Sequence, residues 1–248
     1  MTFIYILYKI DLILYKGGIQ HCQQGKLRIG SMLYLLPFIV IGLIASFILL
    51  TLFNRIPIAW FCDYDEKEPD TSYKKQLQVL HWLLPFTLFL AFCFYFLLAH
   101  YSFHKALLLF FVICILIHVS LSDLLYRIIP DQHVIALVVL GVLCILLEGP
   151  SFTFHFISAL IGGSLYLLVA FIGLLFKQQD AIGFGDVKLM TALGFITGVY
   201  NILSIFVLTT LLSTLFLIAG LLARQISLQS LLPLAPFISI ASIIQFLL

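Results

Sequence analysis

Two aspartates in apolar surroundings, Asp123 and Asp186, are the residues of this 248-residue chain most able to do chemistry. A carboxyl group at membrane depth is costly, and one that is kept there points to function. Asp186 lies in Ala181-Ile182-Gly183-Phe184-Gly185-Asp186-Val187-Lys188-Leu189, at the mouth of a long apolar run. Glycine permits turns that other residues resist and lets a backbone or substrate come close, so Gly183 and Gly185 are expected to shape the approach to Asp186. Asp123 lies in Ser122-Asp123-Leu124-Leu125-Tyr126-Arg127-Ile128-Ile129-Pro130-Asp131. Pro130 disfavours helix at Ile129, and Asp131 is placed to cap the following helix by accepting backbone N–H groups. Asp123 has no such duty, and no basic residue is nearer in sequence than Arg127.

Two carboxyl groups facing one another cannot both ionise easily, so one keeps a proton. The ionised member can activate a water while the protonated member polarises a peptide carbonyl. That is peptide hydrolysis with neither a metal nor a nucleophilic side chain. No His-Glu-x-x-His, Gly-x-Ser-x-Gly or metal-spaced His/Cys set competes with it, so no metal ligands are assigned. Lys188 has three open roles: pairing with Asp186, snorkelling to the interface, or setting the charge of the pair. His118 reads as a bonded core histidine, while His81, His100, His104, His133 and His155 fall near span ends. The alternative use of paired intramembrane aspartates is an ion- or proton-coupled transporter. No inverted repeat supports it.

These residues need an apolar scaffold, and the composition supplies one. With 63% hydrophobic and 10% charged residues, the chain lies far outside the range of soluble domains. Only helices or closed barrels satisfy the backbone in lipid, and alternating strands are absent. We therefore expect an all-α, polytopic integral membrane protein with about eight transmembrane helices, near 33–53, 79–99, 103–121, 133–147, 153–176, 187–200, 202–222 and 231–248. The lipid bilayer is one partner; a net charge of +2 without a basic patch gives no reason to expect nucleic acid. The cysteines are scattered: Cys93, Cys114 and Cys144 read as small buried hydrophobes, and Cys22 and Cys62 form no Cys-x-x-Cys pair. Gly162-Gly163 reads as a close helix contact.

Charge sets the orientation. One side of this topology holds Arg55, Lys67, Lys74, Lys75, Arg127, Lys177, Lys188 and Arg224, whereas the other, from Met32 onward, holds only Lys105. The basic side faces the cytoplasm, and both aspartates fall there. Span 187–200 supplies about 21 Å of helix against a hydrocarbon core of about 30 Å, so its flanks are drawn inward. Residues 1–31 would add Lys9, Lys16, Lys26 and Arg28 to the opposite side. They are read as a non-native or disordered extension ahead of Met32, and 32–248 as one membrane domain.

The ordered set of motifs resembles the type IV prepilin peptidases, Gly-x-Gly-Asp intramembrane aspartic proteases. It comprises Ser46-Phe47, Arg55-Ile56-Pro57, Asp123 with Pro130-Asp131, Gly183-Phe184-Gly185-Asp186-Val187-Lys188-Leu189, Ala192-Leu193-Gly194, Gly198, and Leu232-Pro233-Leu234-Ala235-Pro236-Phe237. In the last stretch, Ala235 replaces the family's glycine. The resemblance implies an endopeptidase with Asp123 and Asp186 catalytic, flanked by Gly183, Gly185, Lys188, Pro130 and Asp131. It would remove the basic leader from prepilin or pseudopilin precursors of a pilus, type II secretion or DNA-uptake system, at the cytoplasmic face of the inner membrane. The chain departs from the family in the first loop, 54–78, which is short and lacks the two Cys-x-x-Cys pairs that hold zinc there. Asn54 is not at the usual offset after Ser-Phe. These departures undercut N-methylation of the new amino terminus, and S-adenosylmethionine would be a cofactor only if that activity were retained. The acids of Asp63-Tyr64-Asp65-Glu66-Lys67-Glu68-Pro69-Asp70 read as a solvated loop.

Overall fold

The computed structural model describes residues 27–61, 76–149, 151–175, 183–224 and 232–248, with the side chains of 27–34, 148, 173 and 174 excluded. Among them are eight α-helices and no strand: α1 (Leu27–Arg55), α2 (Val79–His100), α3 (Phe103–Tyr126), α4 (Asp131–Glu148), α5 (Phe152–Leu175), α6 (Phe184–Thr197), α7 (Val199–Leu222) and α8 (Ala235–Leu247). A 3₁₀ turn, Ile58–Phe61, follows α1. Helix α1 runs without a break through Met32, while residues 1–26 and the acidic loop lie outside the described residues.

Five segments are long and apolar enough to cross a bilayer: Leu35–Arg55, Val79–His100, Phe103–Tyr126, Phe152–Ile172 and Val199–Leu222. Their outward faces carry large exposed hydrophobics such as Leu43, Phe92, Phe171 and Leu215, as expected of helices that meet lipid rather than water. The chain is a multi-pass membrane protein. The other three helices, α4, α6 and α8, are shorter.

Helix α6 is the core element. Of its 14 residues, Asp186, Val187, Leu189, Met190, Ala192, Leu193, Gly194, Phe195 and Ile196 are buried, and it packs chiefly against α5 and α4. Small residues allow this. A Cβ on Gly162 of α5 would lie 2.6 Å from the Met190 carbonyl oxygen, and one on Gly194 would lie 2.5 Å from that of Ser158. Bare glycines therefore let the two helices nearly touch, as the Gly162-Gly163 pair foretells. Gly198, at φ 82°, separates α6 from α7 in one residue, a conformation that glycine adopts without penalty. The apolar run continues across it, so the sequence expectation sets both helix boundaries about three residues too late.

Helix α8 is lined with small residues on its inner face, among them Ala235, Ser239, Ala241 and Ser242. That face lies against α3, where the Ser239 hydroxyl donates to the Leu116 carbonyl at 3.2 Å. Elsewhere in the bundle, α1 and α2 are joined through Ser46 and Thr87, whose hydroxyls are 2.8 Å apart.

Candidate active site

Asp123 lies within the last turn of α3, not just beyond a span as the apolar run suggests. The helix continues to Tyr126 and is closed by Arg127 in the left-handed conformation (φ 56°), whose N–H donates to the Asp123 carbonyl. Residues 128–130 are non-helical and Pro130 stands just before α4, in keeping with the restriction proline places on its neighbour. Asp186 occupies the first turn of α6, its N–H bonded to the Gly183 carbonyl at 3.0 Å. The start of α6 meets the α3–α4 connection directly, because a Cβ on Gly185 would lie 3.2 Å from Ile129 Cβ. The two carboxyls are thereby brought to one end of the bundle, within electrostatic range of each other. Asp123 retains 7% of its accessible surface and Asp186 8%.

Their surroundings differ. Asp123 Oδ2 accepts the backbone N–H of Ala235 at 3.0 Å. Ala235 opens α8, and the preceding Leu234 offers no side-chain cap. Asp123 thus caps α8 from another helix, where both the free N–H and the helix dipole suit a carboxylate. Asp186 Oδ1 is buried and has no hydrogen-bond partner among the described residues. Arg127 exerts its charge on Asp123 from the next turn.

Gly183 and Gly185 do not serve as turn residues. Gly183 precedes α6 at φ −68°, and the positive-φ glycines among the described residues are Gly149 and Gly198. Their role is one of space. A Cβ on Gly183 would stand in ordinary contact with Asp186 Oδ2, at 3.5 Å, so Gly183 lies beside that carboxyl. Gly185 keeps α6 against Ile129.

Lys188 has a partner that the sequence reading did not name. Its Nζ donates to Asp131 Oδ1 at 2.8 Å and lies 5.2 Å from the centre of the Phe184 ring. Asp131 in turn is not the N-cap: Pro130 holds that position and Asp131 is the first helical residue of α4. The side chain expected to cap α4 pairs instead with a lysine of α6. That pairing ties the start of α4 to the start of α6, two residues from Asp186.

His118 is a bonded core histidine, as expected, but His133 is not interfacial: both are buried. His118 Nε2 lies 2.8 Å from the Leu49 carbonyl, which can only accept, so Nε2 carries the proton. His118 Nδ1 then accepts from His133 Nε2 at 3.3 Å. The pair lines an apolar groove of about 900 Å³ between α1, α3 and α4, to which neither aspartate contributes. Cys93 and Cys144 are buried and Cys114 half-buried, and no group of three or more His, Cys, Asp or Glu able to hold a metal occurs among the described residues.

Sequence reasoning missed two neighbours of the pair. Ala235 was visible only as a departure from a motif, and its contact is made by a backbone N–H that no side-chain pattern reports. Tyr166 of α5, 3% exposed, lies within electrostatic range of Asp186. A tyrosine in an apolar span gives no distinguishing signal.

The fold and site together define a multi-pass membrane protein with a buried pair of carboxyl groups at the junction of three helices. Residues 110–218 match the profile of the type IV leader peptidase family, a segment that contains both aspartates and Tyr166 and ends before Ala235. Over that segment, which is less than half of the chain, the sequence is similar to this family. Comparison with curated proteins and with solved structures gives no match.

Proposed function

We propose that the chain is an aspartic endopeptidase that removes the basic leader from prepilin or pseudopilin precursors at the cytoplasmic face of the inner membrane. The observation that carries this reading is the meeting of Asp123 and Asp186, two buried carboxyls from separate helices, at one end of an apolar bundle. The distribution of basic residues in the sequence puts that end on the cytoplasmic side.

In this mechanism the pair shares one proton. The ionised carboxyl takes a proton from a water as its oxygen attacks the scissile carbonyl carbon, and the protonated carboxyl gives its proton to the carbonyl oxygen. Collapse of the resulting gem-diol breaks the C–N bond: the departing amine takes the proton that came from water, one gem-diol hydroxyl gives its proton to the other carboxyl as the C=O re-forms, and the pair is left with a single proton. The substrate's apolar helix packs among the enzyme's spans and holds the bond near the pair, so that orientation supplies part of the rate. No cofactor takes part in cleavage. N-methylation, with S-adenosylmethionine, lies outside the proposal because the first loop lacks the cysteine pairs associated with it.

Co-expression with a leader-bearing prepilin tests the reading. Intact mass of the product is expected to show loss of the leader up to the residue before the apolar helix, with no added methyl group. A precursor that stays full length beside a folded, membrane-inserted enzyme would contradict it.

A further inference from the structure

The groove of about 900 Å³ has α3 as its floor and α1 and α4 as its walls. On the floor it runs from Leu107 to His118, a length of about 16 Å at the rise of an α-helix. Ile48, Phe111 and Val139, one from each helix, are about half exposed along it, so it opens to the lipid. Apart from Cys114, its polar side chains among the described residues are gathered at one end, where Trp60, His118, Gln132 and His133 line it. The two histidines leave one atom unanswered. His118 Nε2 donates to the Leu49 carbonyl at 2.8 Å, and His118 Nδ1 accepts from His133 Nε2 at 3.3 Å. In this neutral pair His133 Nδ1 is a bare lone pair that can only accept. His133 is 7% exposed, and its Nδ1 is buried without a hydrogen-bond partner among the described residues. Such an atom calls for a donor, and an acyl chain has none.

We propose that this groove seats the apolar helix of the substrate, with the first turn of that helix at the histidine end and one of its free N–H groups donating to His133 Nδ1. This rests on the leader-peptidase reading and deepens it. The first four N–H groups of a helix have no partner within it. A helix that starts at the cytoplasmic surface therefore carries donors at that end and apolar side chains beyond. The groove has the matching order, an acceptor followed by an apolar trench. Its polar end is also the end of the two aspartates. His118 precedes Asp123 by five residues on α3. Asp131, two residues before His133, is held by Lys188, two residues beyond Asp186. A helix seated this way has the bond just ahead of it at the level of the pair. An acyl chain would fill the trench and leave His133 without a donor.

The test uses proteoliposomes and a synthetic peptide with a basic leader followed by an apolar helix. In one arm the peptide carries photo-leucine at one helix position at a time, and Asp186→Asn holds it uncut. Photo-leucine in the first turn is expected to label the end formed by Leu52, Trp60 and His133. Placed roughly three turns on, it should label the end formed by Ile41 and Leu107. Adducts on α5 and α7, adducts with phospholipid alone, or no adducts would overturn the seat. In the other arm, each of the first four helix amides beyond the scissile bond is replaced in turn by an ester, which has no N–H. With wild-type enzyme one of these esters should raise KM about fivefold, the scale of one neutral hydrogen bond, while kcat moves less. His133→Phe should show the raised KM with the all-amide peptide and no further rise with that ester. Esters without effect at all four positions, or with the same effect in His133→Phe, would overturn the contact. If His133→Phe does not fold, the ester series on wild type and the adducts decide. Wild-type enzyme that leaves the all-amide peptide uncut would overturn the peptidase reading and the seat with it, whereas normal cutting beside adducts on other faces removes only the seat.

Discussion

Asp123 Oδ2 accepts the backbone N–H of Ala235 at 3.0 Å, across 112 residues of sequence, and so closes the amino-terminal end of α8. A carboxyl proposed to act in catalysis is thus also a helix cap, and the two duties can be separated by substitution. Asparagine keeps an acceptor oxygen and removes the charge, whereas alanine removes both. Asp123→Ala is expected to lower stability by about 1 kcal/mol, the usual cost of losing a cap, while Asp123→Asn costs much less. Thermal unfolding in detergent reads the difference; equal destabilisation by the two variants would show that the cap contributes nothing.

The same contact predicts an asymmetry at position 235. Ala235→Gly keeps the N–H and should cleave as wild type does. Ala235→Pro removes the donor at a first helical position, where proline is otherwise accommodated. Its kcat should fall by roughly tenfold, in line with a lost hydrogen bond to a charged group. Steady-state cleavage of one leader peptide by both variants measures this, and equal rates would dissociate Ala235 from the site.

The Lys188–Asp131 pair joins α6 to α4, with about a third of each side chain exposed. Partly exposed pairs contribute little, so Lys188→Met should cost no more than about 1 kcal/mol. Because the Lys188 ammonium is held by the Asp131 carboxylate, the substitution should leave the limbs of the pH–rate profile in place. A displaced limb would mean that the lysine charge reaches the aspartate pair.

The α5–α6 contact makes a firmer prediction for stability. A side chain at Gly162 would press on the backbone oxygen of Met190, which cannot turn aside. Gly162→Val is expected to cost about 1–3 kcal/mol or more, the range for overpacking, and to reduce activity by shifting α6. A variant as stable as wild type would show that the helices can separate without loss.

Much of the site was legible in the sequence because it rests on cost. Charged residues are so unfavourable in an apolar chain that Asp123 and Asp186 stand out, and the eight helices follow from the length of the apolar runs. What the sequence could not show depends on tertiary contact. Asp131 has the residue type and position of a cap, yet its carboxylate is taken up by a lysine 57 residues away. His133 looks interfacial beside a helix start, but a ring nitrogen of His118 draws it inward. The ends of α3 and α6 were misplaced because an apolar run does not mark where a helix within it stops; Gly198 and the left-handed Arg127 do that through backbone angles. Gly183 and Gly185 lie beside Asp186 and Ile129, where their small size, not turn geometry, is what the structure shows.

The central claim is that Asp123 and Asp186 act as one catalytic pair, and single-turnover cleavage of a leader peptide by Asp123→Asn and Asp186→Asn tests it most directly. Both variants are expected to fold and insert normally, since asparagine preserves shape and an acceptor oxygen, and both should lose cleavage to below detection. Wild-type cleavage by either one would contradict the account.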